Sequence, residues 1–288
     1  MIDRLCIIGV GLIGGSLAQA LREAGFCQQI VGAGRNTANL KKAVELGVID
    51  RYETDLAQAV KGADMVFVAV PLGAMQSVFS AIKGQLAENA VLTDAGSAKG
   101  SVLDDVQQVF GEVPGFFVPG HPIAGTEQSG VEASFAGLYR NRRVILTPVE
   151  STDADAAGRV RAMWEAEGAE VVDMDPVHHD AILAATSHLP HLLAFTLVDS
   201  LARMADQQEV FEYAAGGFRD FTRIASSDPV MWRDICLANH DAIQLLIEHF
   251  VNDLEGVKQA VQAQDGERLL EIFSNAKDAR DRFTEKKA

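Results

Sequence analysis

The chain has 288 residues, 48% of them hydrophobic, and a formal net charge of −15 from 40 acidic and 25 basic side chains. Length and apolar content suit one large or two ordinary globular domains and exclude a disordered chain. The acidic balance argues against a nucleic-acid backbone or an anionic membrane as partner, although a local arginine cluster can still hold a small anion.

Cys6, Cys27 and Cys236 are scattered with no CxxC pair, which fits a reducing, cytoplasmic setting and gives neither a disulfide framework nor a zinc site. No stretch reads as long and apolar enough to span a membrane. The apolar N-terminal run carries four glycines and only Arg4 as a basic residue ahead of it, unlike a secretory signal.

In chain order, "RLCIIGVGLIGGSLAQALREAG" reads as strand, glycine turn and helix. Leu5 to Ile8 is a short buried-strand run, and Gly9, Gly11 and Gly14 form G-x-G-x-x-G around Leu12 and Ile13. One glycine makes the tight turn, one lets a pyrophosphate approach the backbone, and one lets helix pack on strand. The free N–H groups and dipole of the helix N-terminus then favour the anion, so a dinucleotide is expected here. The second strand, 29–36, ends without the Asp or Glu that usually holds a ribose 2′-hydroxyl; Gly34 and Arg35 stand there instead. A guanidinium suits a 2′-phosphate, so NADP is favoured as cofactor and NAD stays open.

Further strands are expected at 63–71, 89–100, 116–122, 142–148 and 169–175, with helices at 36–46, 73–86, 99–110 and 153–167. That alternation predicts an α/β fold, a Rossmann-type doubly wound and mainly parallel sheet over residues 1–174. Ligands bind at the carboxyl ends of such strands. Val70 and Pro71, Ser97 and the segment after Val118 therefore face one crevice, with Val70 and Pro71 beside the cofactor. The loop "PGHPIAGTEQSG" (119–130) puts His121 and Glu127 there. By itself it is either a turn with a polar residue or a rigid loop that holds a catalytic base.

After Asp175 the pattern turns helical. A helix interrupted by Pro190 is expected over 176–205, one long helix over 228–263 with Asp228 as N-cap, and a last helix over 266–283. This second domain, 175–288, cannot easily bury all its apolar faces alone, and pairing into a homodimer is the natural solution. "AAGGFRDFTRIASSDP" sets Arg219 and Arg223 four apart, either as a carboxylate clamp or as solvated partners of Asp220 and Asp228. "SHLPH" sets His188 and His191 three apart, with no Cys or carboxylate to complete a metal site, and none is expected.

Together "GVGLIGGSLA", "TDAGSAKG", "GHPIAGTEQSG", "SHLPH" and "GGFRDFTRIASSDPVMWRDI" resemble the prephenate/arogenate (cyclohexadienyl) dehydrogenases of tyrosine biosynthesis, over nearly the whole chain. The resemblance implies a Rossmann domain followed by a helical dimerisation domain. It implies oxidative decarboxylation of prephenate or arogenate, with hydride passing to NAD(P). His121 would accept the proton of the ring hydroxyl and Ser97 would orient it. Arg223 would bind a substrate carboxylate. His191, Thr126, Glu127 and Trp232 would lie near the substrate. His178, His179, His240 and His249 read as solvated or core helix residues. Relatives with an added mutase or regulatory domain are longer, so control through such a domain is not expected, while competition by tyrosine at the site stays open. Two other readings are weighed. A β-hydroxyacid dehydrogenase would want K-x-x-x-N in the later helices, which is missing. A non-catalytic NADP(H)-binding sensor would not need His121 and Arg223 together.

Overall fold

The computed structural model describes residues 1–126, 128–205 and 207–285. Six strands, β1 (Ile2–Ile8), β2 (Cys27–Ala33), β3 (Arg51–Glu53), β4 (Met65–Val68), β5 (Val91–Asp94) and β6 (Phe117–Val118), form one parallel sheet in the order β3-β2-β1-β4-β5-β6. Its residues alternate between two apolar layers, as the two-residue period of a strand requires. Leu5, Ile7, Met65 and Phe67 enter the layer that holds Trp164. Cys6, Ile8, Val66 and Val68 enter the layer that holds Phe79 and Phe117. Helices Leu12–Glu23, Thr37–Glu45, Met75–Ile82, Lys99–Phe110 and Ala154–Glu165 fall close to their expected places.

The segment 116–122, expected as one strand, is two. It breaks at Pro119, which has no N–H to give to a ladder. Gly120 then turns away to meet Asp94 and Lys99. β7 (Gly120–Pro122) starts a second, three-stranded sheet, antiparallel to β8 (Arg143–Leu146), with β9 (Glu170–Asp173) parallel to β8. His121 therefore stands on a strand, opposite Ile145, rather than in a loop.

The helical half differs in two places. Pro190 does not interrupt its helix: Pro176–Ala202 runs on, through a wider π-turn at Ala184–His188. A proline lacks the N–H that would bond four residues back and crowds that carbonyl, and a wider turn relieves both. The continuous helix has 27 residues and a mean hydropathy of 1.5 over its most apolar stretch, so by length and composition it could cross a membrane, contrary to the expectation above. Conversely, the helix expected over 228–263 is two, Pro229–Ala238 and His240–Gln262. The break is at Asn239, whose buried amide donates to the Asp180 carbonyl at 2.8 Å and to His188 Nδ1 at 3.1 Å.

The chain divides into two compact units, Met1–His240 and Asp241–Ala288. In the second, Leu245, Ile247, Val251, Leu254, Val261, Leu270 and Phe273 are exposed along the helices to Gln262 and from Gly266 to Glu285. Exposed apolar surface of that extent is of the kind that interfaces use.

Candidate active site

The first feature is a glycine cradle at the carboxyl end of β1. Gly9 has φ +99°, and a Cβ there would lie 2.2 Å from the Ala69 carbonyl oxygen and 3.2 Å from Val70 Cγ1. A Cβ on Gly14 would lie 2.3 Å from the Gly9 oxygen. Both positions are closed to any side chain. At Gly11 the opposite holds: a Cβ would meet nothing within 4 Å. Gly11 precedes helix Leu12–Glu23, whose first turn has neither a side-chain cap nor an acidic residue. Free amides, a positive helix end and open space above Gly11 suit a pyrophosphate. Arg35, just past β2, is exposed and makes no ion pair among the described residues. Pro71 is exposed where the chain leaves β4.

At the carboxyl end of β5, two strands from β1 in the sheet, lies a buried set of charges. Asp94 and Lys99 are both fully buried and meet at 2.5 Å (Oδ2 to Nζ). Lys99 Nζ also donates to the Gly120 carbonyl at 2.6 Å, while Asp94 accepts the amides of Gly96 and Gly120 at 2.7 and 3.1 Å. Burial lowers the Lys99 ammonium from its ordinary range, against the pull of Asp94. These bonds fix the backbone on which His121 stands.

His121 is buried, and its Nδ1 lies 2.9 Å from His179 Nε2, with the rings tilted at 65°. His179 Nδ1 in turn lies 2.8 Å from Asp180 Oδ1. Burial, then the neighbouring His179, Lys99 and His188, hold His121 well below the usual imidazole value. It is therefore neutral near pH 7, as a base must be. Asp180 behaves differently: burial alone would raise its carboxyl, but the bond from His179 and the amides of Lys99 and Gly100 outweigh burial and lower it. Ser97 is half-buried on the loop after β5; among the described residues His121 bonds His179 and not Ser97.

Further along, His191 stacks on Trp232, with ring centroids 3.7 Å apart and 19° between planes. His188 meets the edge of Trp232 at 6.1 Å. His188 Nε2 and Trp232 Nε1 are buried without a hydrogen-bond partner among the described residues. Arg223 begins the exposed turn Arg223–Ser226, which packs against the helix that carries His191. Arg219 is exposed on the short helix before it. Thr126 is exposed and bonds locally to Gln128. Glu127 lies outside the described residues.

Comparison with known proteins matches residues 17–173 to the prephenate dehydrogenase nucleotide-binding domain and residues 175–275 to the prephenate dehydrogenase dimerization domain. The chain belongs to the prephenate dehydrogenase family. Its similarity to a cyclohexadienyl dehydrogenase of Zymomonas mobilis is 37% identity over 96% of this chain and 94% of that one. A prephenate dehydrogenase of Bacillus subtilis is 36% identical over 98% of this chain and 76% of its own length. Among solved structures, prephenate dehydrogenase from Aquifex aeolicus in complex with hydroxyphenyl propionate and NAD+ superposes with a TM-score of 0.91 at 39% identity, over 98% of this chain and 99% of that one. Synechocystis arogenate dehydrogenase gives 0.80 at 26% identity, over 97% and 99%.

The sequence singles out Gly9, Gly11, Gly14 and His121 but gives no prominence to His179, Asp180 and the Asp94–Lys99 pair, which the structure links to the backbone or ring of His121. His179 lies on an apolar helix 58 residues from His121, and there it reads as a core residue. The available signal was the adjacent pair His179-Asp180 near a helix start, and an acid and a lysine five apart across a strand-to-helix turn.

Proposed function

We propose that the chain oxidatively decarboxylates prephenate, arogenate or both, to 4-hydroxyphenylpyruvate or tyrosine, with NAD(P)+ as hydride acceptor. The observation that carries this is a buried His121, neutral near pH 7, on the short strand that follows β6, in a chain that also carries the glycine cradle after β1. His121 takes the proton of the ring hydroxyl as the C4 hydrogen leaves with its electron pair. The bond from the ring to its carboxylate then breaks, carbon dioxide departs, that electron pair makes the ring aromatic, and the ring oxygen takes the proton back from His121. Aromatisation supplies driving force, so the protein's work is chiefly to position reactants and hold the proton.

When bound, the nicotinamide supplies the hydride acceptor. Gly9, Gly11, Leu12, Ile13 and Gly14 hold the dinucleotide, with Val70 and Pro71 beside it. Arg35 favours a 2′-phosphate, hence NADP over NAD, because no carboxylate ends β2 and, among the described residues, no acidic side chain pairs with the guanidinium. Arg223, beside the helix of His191, binds a substrate carboxylate, and His191, Trp232, Thr126 and Glu127 complete the substrate side. Ser97, half-buried on the loop after β5, orients the substrate hydroxyl whose proton His121 takes. Residues 1–174 act as the dinucleotide domain and 175–288 as the substrate and dimerisation domain, a division supported by the two family matches that meet there. The exposed apolar face of the helical half is assigned to a second copy of the chain rather than to lipid. The three free thiols suit a cytoplasmic enzyme.

The test is absorbance at the reduced-nicotinamide band with prephenate and arogenate crossed against NAD and NADP. His121→Ala should lose about 10²–10⁴-fold in turnover while still binding cofactor. Arg35→Ser should weaken NADP and leave NAD unchanged. Absence of turnover in every combination, with dinucleotide bound, sinks the dehydrogenase reading.

A further inference from the structure

Behind His121 runs a hydrogen-bonded line that proton abstraction by one histidine does not require. His179, fully buried, bridges His121 Nδ1 at 2.9 Å and Asp180 Oδ1 at 2.8 Å. Asp180 also accepts the backbone N–H of Lys99 on Oδ1 and of Gly100 on Oδ2, both at 2.8 Å. An ionised carboxylate only accepts, so His179 Nδ1 carries a hydrogen. With the ring neutral, His179 Nε2 is a bare acceptor, and His121 Nδ1 must donate to it. The lone pair of His121 is thereby left on Nε2, the far edge of the ring.

We propose that His179 and Asp180 are positioning residues that hold His121 in its Nδ1–H tautomer, so that Nε2 is the atom that receives the substrate's hydroxyl proton. This rests on the reading of His121 as base and adds what fixes its polarity. When Nε2 takes the proton, His121 becomes an imidazolium whose Nδ1–H already points at His179. The negative charge of Asp180, one ring away, stabilises that cation, and no proton need leave the line. The opposite polarity would put the hydrogen on Nε2 and abolish the base.

The decisive variant is Asp180→Asn. Its amide can donate to His179 Nδ1, which inverts the line. The expected result is a kcat lower by about 10²–10⁴-fold, as for loss of a tautomer-fixing carboxylate elsewhere, with substrate KM and dinucleotide affinity unchanged. His179→Gln, whose carbonyl can still accept from His121, should retain much more activity than His179→Leu, which offers no acceptor. In cofactor-free protein labelled with 15N-histidine, NMR should show His121 protonated at Nδ1 in the wild type and at Nε2 in Asp180→Asn. A wild-type His121 protonated at Nε2, or an Asp180→Asn enzyme with wild-type kcat, overturns the proposal. Should Asp180→Asn fail to bind dinucleotide or to fold, the His179 pair decides: equal kcat in the Gln and Leu variants overturns it as well. The ring tautomer is read without substrate. An Nδ1–H His121 in a protein that turns over neither prephenate nor arogenate would therefore sink the reaction assignment and leave the tautomer standing.

Discussion

Gly9 and Gly11 lie two residues apart, yet their replacement by alanine should fail in opposite ways. At Gly9 the backbone sits at φ +99°, where a side chain costs about 1–3 kcal/mol. The new Cβ would also lie 2.2 Å from the Ala69 oxygen, a backbone atom that cannot swing aside, and overpacking of this kind adds about 1–3 kcal/mol. Gly9→Ala should thus lose about 2–6 kcal/mol, a large part of the whole stability of an ordinary domain. Gly11 is different. Its φ of −107° suits any residue, and its Cβ would meet nothing within 4 Å. Alanine in place of glycine at a helix N-cap costs less than about 1 kcal/mol. The methyl group would, however, fill the space through which a pyrophosphate reaches the first amides of the helix. Dinucleotide affinity should drop at least about tenfold, or 1.4 kcal/mol. Urea unfolding measures the first loss, and titration of NADPH fluorescence measures the second. A Gly11→Ala protein that binds as tightly as the wild type, or a Gly9→Ala protein that unfolds at the wild-type urea concentration, would refute the assignment of the cradle.

Three further outcomes are expected. Lys99→Met strips the cation from a fully buried Asp94 and should cost about 3–5 kcal/mol in urea unfolding, because the remaining charge keeps only amide partners. Burial first, then His179, Lys99 and His188, lower the His121 imidazole, and the neutral form is the active one. The acid limb of kcat/KM should therefore lie below pH 6.5, in the window where activity falls as pH drops through the lowered value. For His188, burial, opposed by Asp180, brings the folded value down to about 4 from 6.5, so the unfolded chain binds the proton first as pH falls. Stability that is present above 6.5 should be lost between there and about 4, by up to about 3 kcal/mol, and His188→Gln should flatten that part of the urea midpoint–pH curve.

What could be read from the sequence was what depends on near neighbours. The glycine turn needs only a strand before it and a helix after it, and both were visible in Leu5–Ile8 and Leu17–Leu21. Asp228 and Pro229 marked a helix start for the same local reason, and the Asp228 side chain does accept the Met231 amide at 2.8 Å. The errors arose where distant groups decide. The helix break at Asn239 is made by two partners 59 and 51 residues away, and local propensity in "CLANHDA" shows nothing of them. Likewise, the split of 116–122 into strands of two sheets depends on Asp94 and Lys99 taking both polar groups of Gly120. The contact of His179 with His121 could not be read from the sequence, because its position is that of any buried helix residue and only the fold brings the two rings together.

The Asp180 carboxylate joins two of these features into one. Helix Lys99–Phe110 has no side-chain cap of its own, since Ala98 precedes it. Its first two amides are satisfied instead by Asp180 from helix Pro176–Leu183, a carboxylate at a positive helix end. Such a contact stabilises the docking of the helical segment on the sheet. It also makes burial of Asp180 tolerable, because an ionised carboxyl so placed has hydrogen bonds on both oxygens. The one donor left to it is His179, and that bond aims His179 at His121. The attachment of the substrate-side helix and the orientation of the base thus depend on the same two oxygens. It follows that substitutions which loosen this attachment, even away from the crevice, should lower kcat before they measurably lower dinucleotide affinity, because the glycine cradle stands on β1 and shares none of these bonds.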